Sequence, residues 1–232
     1  MKTIGLLGGM SWESTLSYYK AINEQVKNQL GGLHSARIVL YSVDFAEIEK
    51  LQHEGNWTTC AEILAQAAQS VERGGADFLL ICTNTMHKVF DAIEAQISIP
   101  VLHIADATAD SLLRDNIKTV GLLGTRFTME QDFYKGRLTE NFGIEVITPS
   151  PEEQALVHDV IYQELCQGIV KAGSKARYLE IIESLHERGA QAVILGCTEI
   201  ALLVQQIDTD VPLYDTTGIH ANRAVAYALS SE

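Results

Sequence analysis

The sequence predicts an α/β protein of two similar lobes, each a parallel sheet flanked by helices, related by pseudo-twofold symmetry with the working site in the cleft between them. Three observations carry this prediction. The first is an internal repeat. "TIGLLGGMSWES" at Thr3 to Ser14 matches "TVGLLGTRFTME" at Thr119 to Glu130 at an offset of 116 residues, placing Gly5 on Gly121, Gly8 on Gly124 and Tyr18 on Tyr134. "LLICTNTMH" from Leu79 matches "VILGCTEI" from Val193 at an offset of 114, placing Gly75 on Gly189, Ile81 on Leu195 and Thr83 on Cys197. Both motif pairs keep the same order, which points to duplication of about half the chain. The second observation is that continuous apolar runs alternate with amphipathic stretches, the pattern of buried parallel strands joined by crossover helices. The third is a glycine at the end of each long amphipathic stretch, where helices favour it.

Taken in order, the apolar runs predict strands near 3–8, 36–43, 77–82 and 100–104 in the first half, and near 118–123, 144–147, 191–195 and 211–214 in the second. Helices are expected between them, notably Thr58 to Arg73, Ser174 to Arg188 and a last one over Thr217 to Leu229. The division falls near Asp115 to Lys118, giving lobes 1–115 and 116–216, with the terminal helix at about 217–230 packing back onto the first lobe. No low-complexity linker separates the halves.

Of the 232 residues, 47% are hydrophobic, enough for a substantial core. Lys and Arg number 17 against 30 Asp and Glu, and the balance of −13 argues against nucleic acid or an anionic membrane surface as partner. No apolar run approaches the roughly 18 residues of a membrane span, and "MKTIGLLGG" reads as a first strand rather than a cleaved leader, so a cytoplasmic protein is expected. Cys60, Cys82, Cys166 and Cys197 have neither zinc-site spacing nor the density of a disulfide scaffold; reduced thiols and no metal are expected. "GLLGGMS" lacks the third spaced glycine and the lysine of nucleotide-binding loops, which discounts a dinucleotide or ATP.

Both "GLLGGMS" and "CTNT" fall where a strand gives way to a helix, the edge at which open parallel sheets bind ligands. Backbone N–H groups around Gly8, Gly9, Met10 and Ser11 and at Asn84 and Thr85, with the Thr198 hydroxyl, are candidate donors to a small anion, although a glycine pair also serves a tight turn on backbone grounds alone. Cys197, at the polar exit of an apolar run and the expected start of a helix, is read as a base whose thiolate the local positive potential favours. Two opposed acid/base groups on the faces of one carbon are what stereoinversion requires.

The Gly-Gly-Met start, "TNTMH", "GCTE" and "YDTTGIHA" together resemble the aspartate/glutamate racemase family, which works without pyridoxal phosphate or other cofactor; the resemblance covers essentially the whole chain. It implies isomerase activity on an amino-acid dicarboxylate by two-base α-proton transfer, and relatives suggest a homodimer. Carried over by position, Asn84 and Thr85 match the first loop and Gly196, Cys197, Thr198 and Glu199 the second. Thr83 departs from the family's cysteine there. Because neighbouring strand side chains point to opposite faces, Cys82 is read as buried filler and Thr83 as the occupant of the catalytic position. The resemblance assigns Cys197 to the L enantiomer, so an L-specific enzyme is expected, with Thr83 acting on the opposite face. Gln52 sits where the family brings a side chain toward the distal carboxylate, with a solvated helix end as the competing reading. Glu199 is read as acceptor of the substrate ammonium or as a helix cap, Asp215 with Thr216 as a helix cap, and His87 and His220 as structural. Two rival readings stay open: a single-cysteine lyase resembling arylmalonate decarboxylases, and a noncatalytic amino-acid-binding clamshell.

Overall fold

A computed structural model describes residues 1–230. Eight strands form: β1 (Ile4–Gly8), β2 (Ile38–Ser42), β3 (Phe78–Ile81), β4 (Val101–Leu102), β5 (Thr119–Gly124), β6 (Glu145–Ile147), β7 (Ala192–Gly196) and β8 (Leu213–Asp215). They build two four-stranded sheets of identical topology, β2-β1-β3-β4 and β6-β5-β7-β8. Every pairing is parallel. The central strands are buried apart from Thr119 at the start of β5, and the outer ones are partly exposed, as expected for parallel sheets covered by helices. This is the α/β class read from the sequence, and all eight strands lie where apolar runs placed them.

The repeat is visible in the register. Gly5 pairs with Leu79 in the first sheet and Gly121 with Val193 in the second, so the two offsets seen in the sequence describe one duplicated strand pairing. Packing repeats with it. A Cβ on Gly5 would stand 2.6 Å from Val71, and a Cβ on Gly121 2.9 Å from Leu185, the helix residue at the matching position. The two crossover helices, Trp57–Arg73 and Ala172–Glu187, are followed by Gly75 and Gly189 with φ of +91° and +104°.

Two compact units result: Met1–Ile104 with the chain from His220 onward, and Ala105–Ile219. In the first unit one sheet face packs Ile4, Leu6, Phe78, Leu80 and Cys82 with Tyr18 and Ile22 of helix Trp12–Leu30 and with Ala221, Ala224 and Val225 of the terminal helix Thr216–Leu229. The other face packs Leu7, Leu79 and Ile81 against Leu64, Ala68 and Val71 of helix Trp57–Arg73, together with Ile48. In the second unit Leu123, Val193 and Leu195 meet Val157, Ile161, Tyr178 and Ile182. Among the described residues no helix is long and apolar enough to cross a membrane.

Candidate active site

Each sheet carries its chemistry-bearing loops at the carboxyl ends of its two central strands. In the first unit β1 runs into the turn Gly8–Ser11, and β3 into Cys82–Asn84 followed by a 3₁₀ turn, Thr85–Val89. The two loops are neighbours, because the Cys82 N–H donates to the Leu7 carbonyl at 2.9 Å.

Gly9 is demanded by its surroundings. Its φ is +91°, and a Cβ would sit 2.3 Å from the Val43 carbonyl oxygen. Its N–H donates to Thr15 Oγ1 at 2.8 Å, and that hydroxyl in turn donates to the Ser11 carbonyl at 2.8 Å. The Gly9 donor therefore serves the turn itself. Met10 is buried with Ile48, Ile81 and Met86, so its side chain belongs to the core and only its backbone faces the turn. Nothing in the local pattern singles out Thr15, whose role depends on tertiary approach.

Cys82 is fully buried among Ile4, Leu6, Tyr18 and Leu80, and that burial raises its thiol pKa well above the ordinary range. Its side chain belongs to the same face as Phe78 and Leu80, while Leu79 and Ile81 supply the other. Thr83, Asn84 and Thr85 follow, each buried, with 8% of Thr83 open to solvent. Gln52 lies on helix Phe45–His53 but not at a solvated end: it is buried, and its amide nitrogen lies 2.9 Å from Met86 Sδ. The structure thus gathers Gly9, Met10, Gln52, Thr83, Asn84 and Thr85 around one sheet edge.

In the second unit β5 and β7 end on Gly124 and Gly196, which are register partners. A Cβ on Gly124 would approach the Gly196 carbonyl to 2.8 Å, so only small residues let these strands close up. Cys197, Thr198 and Glu199 follow. Glu199 Oε2 accepts from Cys197 Sγ at 3.0 Å and from Thr198 Oγ1 at 2.7 Å. All three residues are buried, with 8% of Cys197 exposed.

The expected helix-start effect on this thiol is overturned. The helix after Cys197 begins only at Ile200 and spans four residues, too little to supply a strong positive end. Burial, then the negative charge of Glu199, hold the Cys197 pKa well above the ordinary thiol value. The Glu199 backbone N–H opposes this by favouring the thiolate, but it loses. The contribution of Glu199 was missed because spacing alone does not show where a carboxylate two residues on will point.

The flanking readings are settled by geometry. Asp215 accepts from the N–H groups of Thr217 and Gly218 at 3.0 and 3.2 Å, capping the terminal helix, and burial raises its own pKa. Thr216 Oγ1 donates to the Leu195 carbonyl at 2.9 Å, tying that helix start to β7. His87 and His220 are both buried and hydrogen-bonded on both ring nitrogens.

Duplicated parallel sheets with a thiol and a carboxylate in contact at one carboxyl edge are what the racemase resemblance leads one to expect, and similarity to racemases supports an isomerase of that class. The chain belongs to the Asp/Glu/Hydantoin racemase family, whose model matches residues 7–224. A crystal structure assigned to an Asp/Glu racemase from Yersinia pestis is 56% identical and superposes with a TM-score of 0.91, covering 99% of this chain and 100% of that one. An aspartate racemase homologue from Pyrococcus horikoshii is 35% identical with a TM-score of 0.85, over 99% and 100% of the two chains. By sequence, the broad specificity amino-acid racemase RacX of Bacillus subtilis is 24% identical over 98% of each chain.

Proposed function

We propose that this protein interconverts the enantiomers of aspartate or glutamate by two-base α-proton transfer without a cofactor, with Cys197 removing the α-proton of the L enantiomer and Thr83 acting on the opposite face. The observation that carries the reading is the 3.0 Å contact between Cys197 Sγ and Glu199 Oε2 at the end of β7. A substrate ammonium beside Glu199 offsets the charge that opposes the thiolate, so the Cys197 thiol gives up its proton to solvent as the substrate binds. The thiolate then takes the α-proton, the carbanion's charge spreads into the α-carboxylate, and the Thr83 hydroxyl delivers a proton from the other face. The alkoxide left on Thr83 recovers its proton from solvent. Gln52 addresses the distal carboxylate, and N–H groups of the Met10 turn and of Asn84 and Thr85, with the Thr198 hydroxyl, hold the rest of the anion.

An alkyl hydroxyl is a far weaker acid than a thiol, so Thr83 is a poor base but an adequate donor to a carbanion. The two faces of the reaction are therefore unequal. α-Proton exchange in heavy water is expected to be fast from L substrate and slow from D, read by proton NMR for each enantiomer. Faster washout from D than from L rejects the assignment. The relatives' names support a small amino acid as substrate, and the family resemblance supports a homodimer, which light scattering tests as twice the mass of one chain.

A further inference from the structure

Three buried histidines stand together in the first unit. The His87 and His103 ring centroids are 4.4 Å apart, those of His87 and His220 6.2 Å, and Phe90 lies 4.7 Å from His103. His87 is bonded to main chain on both sides: its Nδ1 lies 2.8 Å from the Thr83 carbonyl oxygen and its Nε2 3.3 Å from the Ile104 nitrogen. These partners fix its protonation. A backbone N–H only donates, so Nε2 is a bare acceptor; a carbonyl only accepts, so Nδ1 carries the hydrogen. The ring is therefore neutral, in the Nδ1–H tautomer. Protonating Nε2 would set two donors against each other at Ile104.

His220 carries hydrogen on the other nitrogen. Its Nε2 lies 2.8 Å from the Leu102 carbonyl and must donate, and in the neutral ring Nδ1 then accepts from Tyr18 Oη at 2.9 Å. The two rings bracket Leu102–Ile104, the segment through which the chain leaves the first unit. The series runs from Tyr18 through His220, Leu102, Ile104 and His87 to the Thr83 carbonyl.

We propose that His87 is a positioning residue for Thr83: as a neutral Nδ1–H ring it ties the Thr83 carbonyl to the Ile104 amide and so fixes the stance of the hydroxyl-bearing loop. The proposal rests on the reading that Thr83 serves the reacting carbon. Displacement of a reacting group by about 1 Å costs on the order of 100-fold in rate, which sets the scale of the effect.

The test has two arms on the full chain. Long-range proton–nitrogen correlation spectra of histidine-labelled protein should show His87 with hydrogen on Nδ1 and His220 with hydrogen on Nε2. Hydrogen on Nε2 of His87, or a ring averaging between tautomers, overturns the proposal. In the kinetic arm, His87→Leu should lower net inversion by about 10- to 100-fold while α-proton exchange from L substrate, which uses Cys197, falls several times less. His87→Asn keeps a donor near the Nδ1 position and should recover most of the loss. Equal losses in inversion and exchange, no loss in the leucine variant, or no rescue by asparagine overturn the positioning role. Thr83→Ala separates the layers: inversion at the unsubstituted rate would reject the role of Thr83, while the tautomer result would stand on its own. Should His87→Leu fail to fold, the spectra of the unsubstituted protein still decide.

Discussion

Cys197 and Glu199 show how two residues set one another's chemistry. A carboxylate 3.0 Å from a buried thiol disfavours the thiolate, so the resting thiol is neutral around pH 7. The sign for activity follows. Below the thiol pKa each unit of pH raises the thiolate fraction about tenfold, so α-proton exchange from L substrate should climb with pH on a unit log slope. Glu199→Gln removes the opposing charge and should move the thiol titration downward, read from thiolate ultraviolet absorbance in the ligand-free protein; an upward shift would refute this electrostatic account. Cys82 offers the control. Its thiol is enclosed by Ile4, Leu6 and Leu80, so Cys82→Ala should cost about 1 to 2 kcal/mol of stability in urea unfolding, as small core truncations do. Exchange should stay within about twofold, since this sulfur points into the core.

The turn between β1 and helix Trp12–Leu30 is decided by two interlocking constraints. Gly9 takes a positive φ where Val43 backbone leaves no room for a Cβ, and Thr15 reaches back from the helix to hold the Gly9 N–H. Gly9→Ala should therefore destabilise by about 2 kcal/mol or more, from the left-handed backbone and the clash together, measured as a lower urea midpoint. The terminal helix is placed in the same manner. Asp215 closes its first turn and Thr216 fastens that turn to the Leu195 carbonyl, while Ala221, Ala224 and Val225 further along pack on the first sheet. Capping chemistry was readable in "YDTT"; the partner of Thr216 was not, because Leu195 is distant in the chain.

For the molecule as a whole, the duplication sets up two related loops that carry different acids, Thr83 and Cys197, and the proposed chemistry inherits that inequality. Thermodynamics limits it. The enantiomers have equal free energies, so kcat/KM for net conversion must be the same from L and from D even where isotope washout differs. Following optical activity from each pure enantiomer should give equal values, and a persistent difference would show that something other than simple racemisation is being measured. The net charge of −13 also matters to the proposed substrate, since an acidic chain must gather its donors locally to hold a dicarboxylate.

The α/β class, the eight strand positions and the internal duplication were contained in the sequence, because apolar periodicity and glycine placement are local properties that a repeat writes twice; the strand order and the pairing of Gly5 with Leu79 and Gly121 with Val193 came from the folded chain. The burial of Cys82 followed from strand alternation in the same way. Only the tertiary structure decided the direction of the Cys197 pKa, the use of the Gly9 N–H by Thr15, the inward turn of Gln52 and the main-chain partners of His87. Each of these depends on the side-chain directions, burial and donors that folding brings within a few ångströms, and neither spacing nor composition records those distances.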